Sequence, residues 1–386
     1  MNRIFSIIIC VVVAVFSAEA DALIDNILKN NEEIKAARLS YESDALYLAT
    51  TDNLPNPEVE MEILPKPFTS LEMVVSESLE WPGAYVMRRK AAKHRISSME
   101  YLYKSRQVEV VANARRLYAD LVYINLQIFR KKQLKEVVDS ILETITTTEL
   151  RSQYNVLDVS RLKLEAFDLS TSVSGLKVAR QVAIDELTLI NGNKPLLGVN
   201  LDNITFNFDI ESVDTYISQY VESPDFLAMA QENIAAEYDV KAMRNQSFPE
   251  IKVGYKLVNE DNSSRHGVVF GLSLPIFSSR GRVKASKALV AAKSFDLQYR
   301  KSVQEMRVRS LYHSVVEMQH NIDKYSHILN YDEVMAYLNT ALESKSITMV
   351  DYLSEYKFVV SSLETLDEMK NEYVQKYLEL TKYQLF

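Results

Sequence analysis

Two halves of this chain carry the same landmarks in the same order, and that duplication constrains the fold more than any local motif. Asn31-Asn-Glu-Glu-Ile leads through Tyr41 and Ala45 to Pro57-Glu58-Val59, and Ser223-Pro-Asp-Phe-Leu leads to Pro249-Glu250-Ile251 at an offset of 192. Glu77-Ser-Leu-Glu-Trp-Pro82 is echoed by Phe270-Gly-Leu-Ser-Leu-Pro275 at an offset of 193. Val156-Leu-Asp158 corresponds to Met349-Val-Asp351, again at 193. Three landmarks in one order predict a tandem repeat, with one unit over 21–192, a linker over 193–211 and a second unit over 212–386.

Each unit reads as helix, strand, strand, long helix, helix. Residues 22–52 have helical periodicity with Leu23, Ile27, Ile34 and Leu46 among polar residues. Asn53 to Pro57 ends that pattern, and Glu58 to Ile63 alternates strictly, as a strand does. Pro65 and Pro67 mark a turn, Leu71 to Glu80 reads as a second strand, and Pro82-Gly83 ends it. From Ala84 to about Leu150 there is neither glycine nor proline. A helix of that length measures about 100 Å at 1.5 Å per residue. Another helix is predicted over 156–191, with Asn191-Gly192 as its C-terminal cap. In the second unit, 212–247 reads as helix, with Pro224 near its beginning. Ile251 to Val258 and Gly267 to Leu274 read as strands, followed by helices over 282–344 and 348–384. Only 8 glycines in 386 residues suit long uninterrupted helices and argue against a glycine-rich nucleotide-binding fold.

The first twenty residues read as an export signal. Arg3 is the basic start, Ile4 to Phe16 is apolar but for Ser6, and Ala18-Glu19-Ala20 is a small-residue cleavage pattern. Cys10, the only cysteine, lies inside that stretch, so the mature chain is expected to have no disulfide and no cysteine metal site. Beyond it, no run approaches the roughly 20 apolar residues of a spanning helix. The net charge of −8 argues against nucleic acid.

The strands offer another route into a membrane. Val59, Met61 and Ile63 oppose Glu58, Glu60 and Glu62; Ile251, Val253, Tyr255 and Leu257 oppose Lys252, Gly254 and Lys256. Val268, Phe270, Leu272 and Leu274 oppose Gly271 and Ser273, whereas Glu77 shares a side with Leu71, Met73, Val75 and Leu79. Apolar-out and polar-in is what a water-filled barrel requires, and it makes Glu58, Glu60, Glu62, Lys252 and Lys256 candidate lumen residues. A soluble amphipathic sheet packed on helices has the same pattern. Four strands cannot close a barrel, since bacterial ones need at least about 8, and open edges are not tolerated in lipid. If these strands lie in a membrane the chain must oligomerise, and three copies would supply twelve.

Asn53-Leu-Pro-Asn-Pro57-Glu-Val resembles the TolC-family pattern in which a helix runs into the first barrel strand. Glu77-Ser-Leu-Glu-Trp81-Pro82-Gly83, with Arg88, Arg89 and Ala91 after it, resembles the strand–helix junction of the heavy-metal efflux (CzcC-like) branch. Gly271-Leu-Ser-Leu-Pro275-Ile-Phe, with Arg280 and Arg282 after it, is similar to the second junction of the wider family. The resemblance covers the whole mature chain. It implies a mainly α fold with a small β part, a homotrimer with a 12-stranded barrel in outer-membrane lipid, and a helical tunnel in the periplasm. It implies a periplasmic adaptor and an inner-membrane pump of the RND type as partners, no cofactor and no catalysis. It also places the aperture at the turns Leu150 to Val156 and Leu342 to Val350, with Asp351 and Asp158 as candidates. Those turns lack the family's usual glycine, and Ser354 stands where some members have a second Asp. An acidic residue in a helix's first turn is equally accounted for by the macrodipole.

No catalytic or metal motif appears. His313, His320 and His327 share one helix stripe at about 10 Å per step, too far apart to hold one ion within a chain. No phosphate-binding loop or Ser-His-Asp order is present. Metal cations are the expected cargo, from the Trp81 junction and the acidic first strand. Drug efflux, type I secretion and a periplasmic coiled-coil scaffold are the alternatives.

Overall fold

A computed structural model describes residues 24–64, 70–147, 156–195, 209–260, 263–276 and 280–385. The expected signal over 1–20, most of the turn Leu150 to Val156, the Pro65–Pro67 turn and most of the 193–211 linker lie outside the described residues. The order is a helical stretch over 24–30, α1 (Glu32–Leu48), β1 (Glu58–Leu64), β2 (Ser70–Leu79), α2 (Pro82–Thr147) and α3 (Val156–Ile190). Then come α4 (Val213–Val221), α5 (Pro224–Asn245), β3 (Glu250–Glu260), β4 (Ser263–Ser273), α6 (Arg282–Leu329), α7 (Tyr331–Glu343) and α8 (Met349–Leu380). A 3-10 turn, Lys382–Leu385, follows.

Three expected helices are broken, each for a local reason. The helix expected over 22–52 stops at Asn31, whose Oδ1 accepts from the Ile34 amide at 2.8 Å while its Nδ2 donates to the Ile190 carbonyl at 2.7 Å. The side chain competes with the helix ladder and caps α1 instead. The helix expected over 212–247 divides before Pro224, which has no N–H and begins α5. The helix expected over 282–344 divides at Asn330, which takes φ 25, one of the few non-glycine positions with positive φ. Its carbonyl accepts from the Glu333 and Val334 amides at 3.1 and 3.2 Å. In contrast α2 runs unbroken for 66 residues.

Strands β3 and β4 are 11 residues each, longer than expected, and absorb most of the segment 259–265 predicted to separate them. The sheet is antiparallel throughout in the order β1-β2-β3-β4. Two hairpins are thereby joined by pairing β2 with β3, for example Ser76 with Gly254.

The chain gathers into two compact units that both draw on the two sequence halves. One holds residues up to Lys35, Gln107–Gln219 and Met306 onward; the other holds Ala36–Arg106 and Tyr220–Glu305. In the first, Leu134, Val138, Ile141 and Ile145 of α2 join Leu162 and Leu169 of α3, Leu338 of α7, and Leu353, Tyr356 and Val360 of α8. Steps of three, four and seven along each helix are the spacing of a coiled-coil seam. The seam also buries Asp367, 3.1 Å from Arg130 Nε. Burial raises the Asp367 carboxyl above the usual range despite that cation. The end of α3 is fixed by Gly192 at φ 66, with Gly192 and Asn193 amides returning to Leu189 and Thr188 carbonyls at 2.9 Å. A Cβ on Gly192 would stand 2.4 Å from the Asn30 carbonyl oxygen, so space and dihedral both require glycine.

The second unit contains the sheet, α1, α5 and the adjoining parts of α2 and α6. Helices α2 and α5 run antiparallel: Ser105 bonds Asp225, Ser98 bonds the Ala228 carbonyl, His94 bonds Gln231 and Arg95 bonds Asp239. Buried alanines at 84, 91 and 92 of α2 and 228, 235 and 236 of α5 keep side-chain bulk small on both helices.

Candidate functional site

Register assigns every strand residue to one of two faces, because directly paired residues point the same way. On one face Val59, Val75, Tyr255 and Val268 form a row, followed by Met61, Met73, Leu257 and His266. Leu79, Ile251 and Leu272 form another. Phe270 is 74% exposed and Val268 75%, and Val59, Met61 and Ile63 are also open. Soluble monomers rarely expose a contiguous apolar patch of this kind. Glu77 lies on this face beside Val253 and Phe270, as the alternation indicated.

The opposite face is mostly polar or small, with Val74, Val258 and Val269 as exceptions. It carries all five lumen candidates: Glu58 with Ser76 and Gly254, Glu60 with Val74 and Lys256, Glu62 with Glu72 and Val258, and Lys252 with Ser78 and Gly271. Lys252 Nζ lies 3.3 Å from Glu58 and 3.8 Å from Glu60, and Lys256 pairs with Glu72. The acidic β1 and basic β3 are thus parts of one charge-paired surface. Glu72 was missed by sequence reasoning because β2 alternates less cleanly than its neighbours.

At the first junction Pro82 opens α2, where its missing N–H costs no helix bond. The Ala84 amide reaches the Trp81 carbonyl at 2.8 Å. A Cβ on Gly83 would meet Asn245 Oδ1 at 2.2 Å, so the α5 terminus closes over it. Trp81 packs against Phe248 with the rings tilted by 36° and centroids 5.4 Å apart. The unforeseen centre of the junction is Glu80, which accepts from Arg88 at 2.9 and 2.8 Å and from Gln246 at 3.2 Å. Arg88 also lies over the Tyr85 ring at 4.7 Å. Glu80 and Arg88 were both inside the quoted motif, but a spacing of eight gives no pairing signal. At the second junction Pro275 follows β4, and the Ile276 amide turns back to the Leu274 carbonyl at 2.8 Å.

The aperture candidates belong to the other unit. Asp351 is exposed in the first turn of α8, where it forms a capping box with Thr348. Thr348 Oγ1 accepts from the Asp351 amide at 3.1 Å, and Asp351 Oδ2 accepts from the Thr348 hydroxyl at 2.7 Å and amide at 3.2 Å. The Thr348 hydroxyl first, and its amide second, lower the Asp351 carboxyl below its usual range. Asp158 is half-buried in the first turn of α3. Glycine is absent from the turn before α8, and Lys345 takes the left-handed position instead at φ 57. Lys345 and Ser346 amides return to Leu342 and Ala341 carbonyls at 3.0 and 2.9 Å.

Among the described residues no helix is long and apolar enough to cross a membrane, and no three His, Cys, Asp or Glu side chains form a metal-binding group. His313, His320 and His327 are exposed.

No protein-family model matches the chain, and no curated protein matches it in sequence. Solved structures match it closely in fold. The outer-membrane channel OprN aligns with a TM-score of 0.77 at 14% identity, over 95% of this chain and 89% of that one. The outer membrane protein VceC from Vibrio cholerae gives 0.74 at 13%, over 95% and 96%. CusC, whose structures concern transmembrane channel formation, gives 0.70 at 13%, over 95% and 92%. The chain has the fold of these TolC-like channel subunits, helical with a small four-stranded sheet.

Proposed function

We propose that this chain is one subunit of a trimeric outer-membrane channel, an exit duct that conducts and does not catalyse. The observation that carries the reading is the sheet: one face apolar and open, the other polar and charge-paired, in a chain with the fold of outer-membrane channels. Strands β2, β3 and β4 have 10, 11 and 11 residues, within the 9–11 or so that a tilted strand needs to cross lipid. Strand β1 has 7 and is the short member. Four strands leave two open edges, which lipid does not tolerate. Closure by three copies gives a barrel of twelve, with the Glu58–Lys252 face lining water.

The export signal over 1–20, the duplicated units over 21–192 and 212–386, and a helical part on the periplasmic side belong to the same reading. So do a periplasmic adaptor and an inner-membrane pump of the RND type, which would supply the energy. The cargo we assign is metal cations. Supporting it are the Trp81-Pro82-Gly83 resemblance and a polar face where Glu58, Glu60, Glu62 and Glu72 exceed Lys252 and Lys256. Asp351 and Asp158 are assigned to the aperture.

Planar bilayers test the duct directly. Purified protein should insert as a trimer and give discrete, cation-preferring conductance steps. A monomeric, water-soluble product without conductance would overturn the reading in favour of a coiled-coil scaffold. For the cargo, a deletion strain should lose resistance to metal salts while keeping its resistance to drugs; the reverse pattern removes the metal assignment.

A further inference from the structure

Both long helices lack acidic residues near their beginnings, and α6 starts with cations. Neither α2 nor α6 has an acidic residue in its first turn, although a helix N-terminus favours anions and disfavours cations. Residues 81–99 include Arg88, Arg89, Lys90, Lys93 and Arg95 and no Asp or Glu. Residues 262–295 include Arg280, Arg282, Lys284, Lys287 and Lys293 and again no Asp or Glu. Glu100 and Asp296 end these two stretches.

Part of this charge is used inside the unit. Arg88 is held by Glu80, Arg95 by Asp239, and Lys293 by Glu232 at 2.7 Å, while Arg89 stands 3.8 Å from Asp52. Lys93, Arg282, Lys284 and Lys287 are exposed and form no ion pair among the described residues. Arg89 is 82% exposed despite its acidic neighbour. An ordinary solvated helix face intersperses both signs. Farther along α2 the stretch 121–135 also lacks Asp and Glu, but there Arg130, Lys131 and Lys135 pair with Asp367, Glu364 and Asp139; beside the strands four exposed cations have no such partner among the described residues.

We propose that these residues form a basic collar that binds the anionic headgroups of phospholipids in the leaflet facing the helices. The inference rests on the membrane reading of the sheet. Arg89 and Lys93 lie two and three turns into α2, roughly 10–17 Å from its start. The headgroup layer on one side of a bilayer is about 5–8 Å deep, and long basic side chains reach back toward it. Arg282, Lys284 and Lys287 occupy the first two turns of α6. The open Trp81 sits at the first junction against Phe248, and tryptophan, an amphipathic ring, marks the lipid–water boundary. Each Lys or Arg near an anionic leaflet strengthens association about five-fold, so a collar repeated by symmetry concentrates acidic lipid around it.

Trp81 is the only tryptophan in the chain and serves as the reporter. The full-length protein is reconstituted into phosphatidylcholine vesicles with a minor share of phosphatidylglycerol. One lipid or the other is brominated on acyl carbons near the headgroup. At low salt, brominated phosphatidylglycerol should quench Trp81 several-fold more per mole than brominated phosphatidylcholine. The ratio should fall to about one when Arg89, Lys93, Arg282, Lys284 and Lys287 are all changed to Gln. It should fall likewise for the unaltered protein in molar salt, where the Debye length is about 3 Å; this arm does not depend on the variant folding. A ratio near one for the unaltered protein at low salt overturns the collar and leaves the membrane reading standing, as does a ratio that neither salt nor substitution changes. Quenching by neither lipid overturns both.

Discussion

Lys345 holds a left-handed backbone in the turn before α8, a conformation that costs an L-residue roughly 1–2 kcal/mol. Both returning amide bonds depend on it. Replacing Lys345 by Gly removes the strain but adds unfolded-state entropy, so a net gain of about 0.5–1 kcal/mol is expected in denaturant unfolding. Six residues on, Asp351 serves two candidate roles that a single substitution separates. Asp351→Asn keeps an acceptor for Thr348 yet removes the charge. It should abolish divalent-cation block of the conductance at a smaller cost in unfolding than Asp351→Ala, which should remove block and cap together. If block persists in both variants, Asp351 is a helix cap and nothing more. The cap also has a pH signature. Its carboxyl titrates below the usual range when folded, so its stabilisation is complete above the ordinary carboxylate pKa and is lost as pH falls through the lowered value. The melting difference between the parent and Thr348→Ala should therefore be largest near neutrality and narrow in acid. A constant difference would show that the carboxylate's ionisation does not matter.

Elements were unequally legible. The long α2 was plain because nothing in the sequence interrupts it. Gly192 was legible as a cap because its dihedral is a local matter. Asn330 carried a signal that was passed over: an Asn followed by Asp332 and Glu333 is a helix-start signature. Asn31 was not legible as a break, since its decisive partner is the Ile190 carbonyl, 159 residues away. Within the sheet, alternation gave the faces of β1, β3 and β4 that the register shows, with Glu58, Glu60, Glu62, Lys252 and Lys256 sharing one of them. It underestimated β3 and β4, whose ends pair through polar residues such as Asn259 with Ser264. The faces make an element-level prediction. Phe270→Lys on the open apolar face should reduce assembly into vesicles by about 2–4 kcal/mol if it lies near the bilayer midplane. Val269→Thr, one residue along and on the other face, should leave assembly nearly unchanged. Equal effects from the two would mean that the sheet does not separate lipid from water.

For the whole molecule, the sequence by itself determined the helix–strand–strand–helix order of each half, the uninterrupted run of α2 and the polarity of β1, β3 and β4. These follow from periodicity, glycine and proline, which act within a few residues. Tertiary structure decided what those elements do together. It joined the two hairpins through β2 and β3, and so placed Lys252 against Glu58, 194 residues away. It also drew both compact units from both halves of the chain. Glu80 became the centre of a junction only because Arg88 of α2 and Gln246, the C-cap of α5, converge on it. Such pairings are set by three-dimensional proximity, whose cost in loop closure grows only slowly with chain separation. No local pattern encodes them. The matching landmarks were written in the chain; the single charge-paired face was settled only when the halves met.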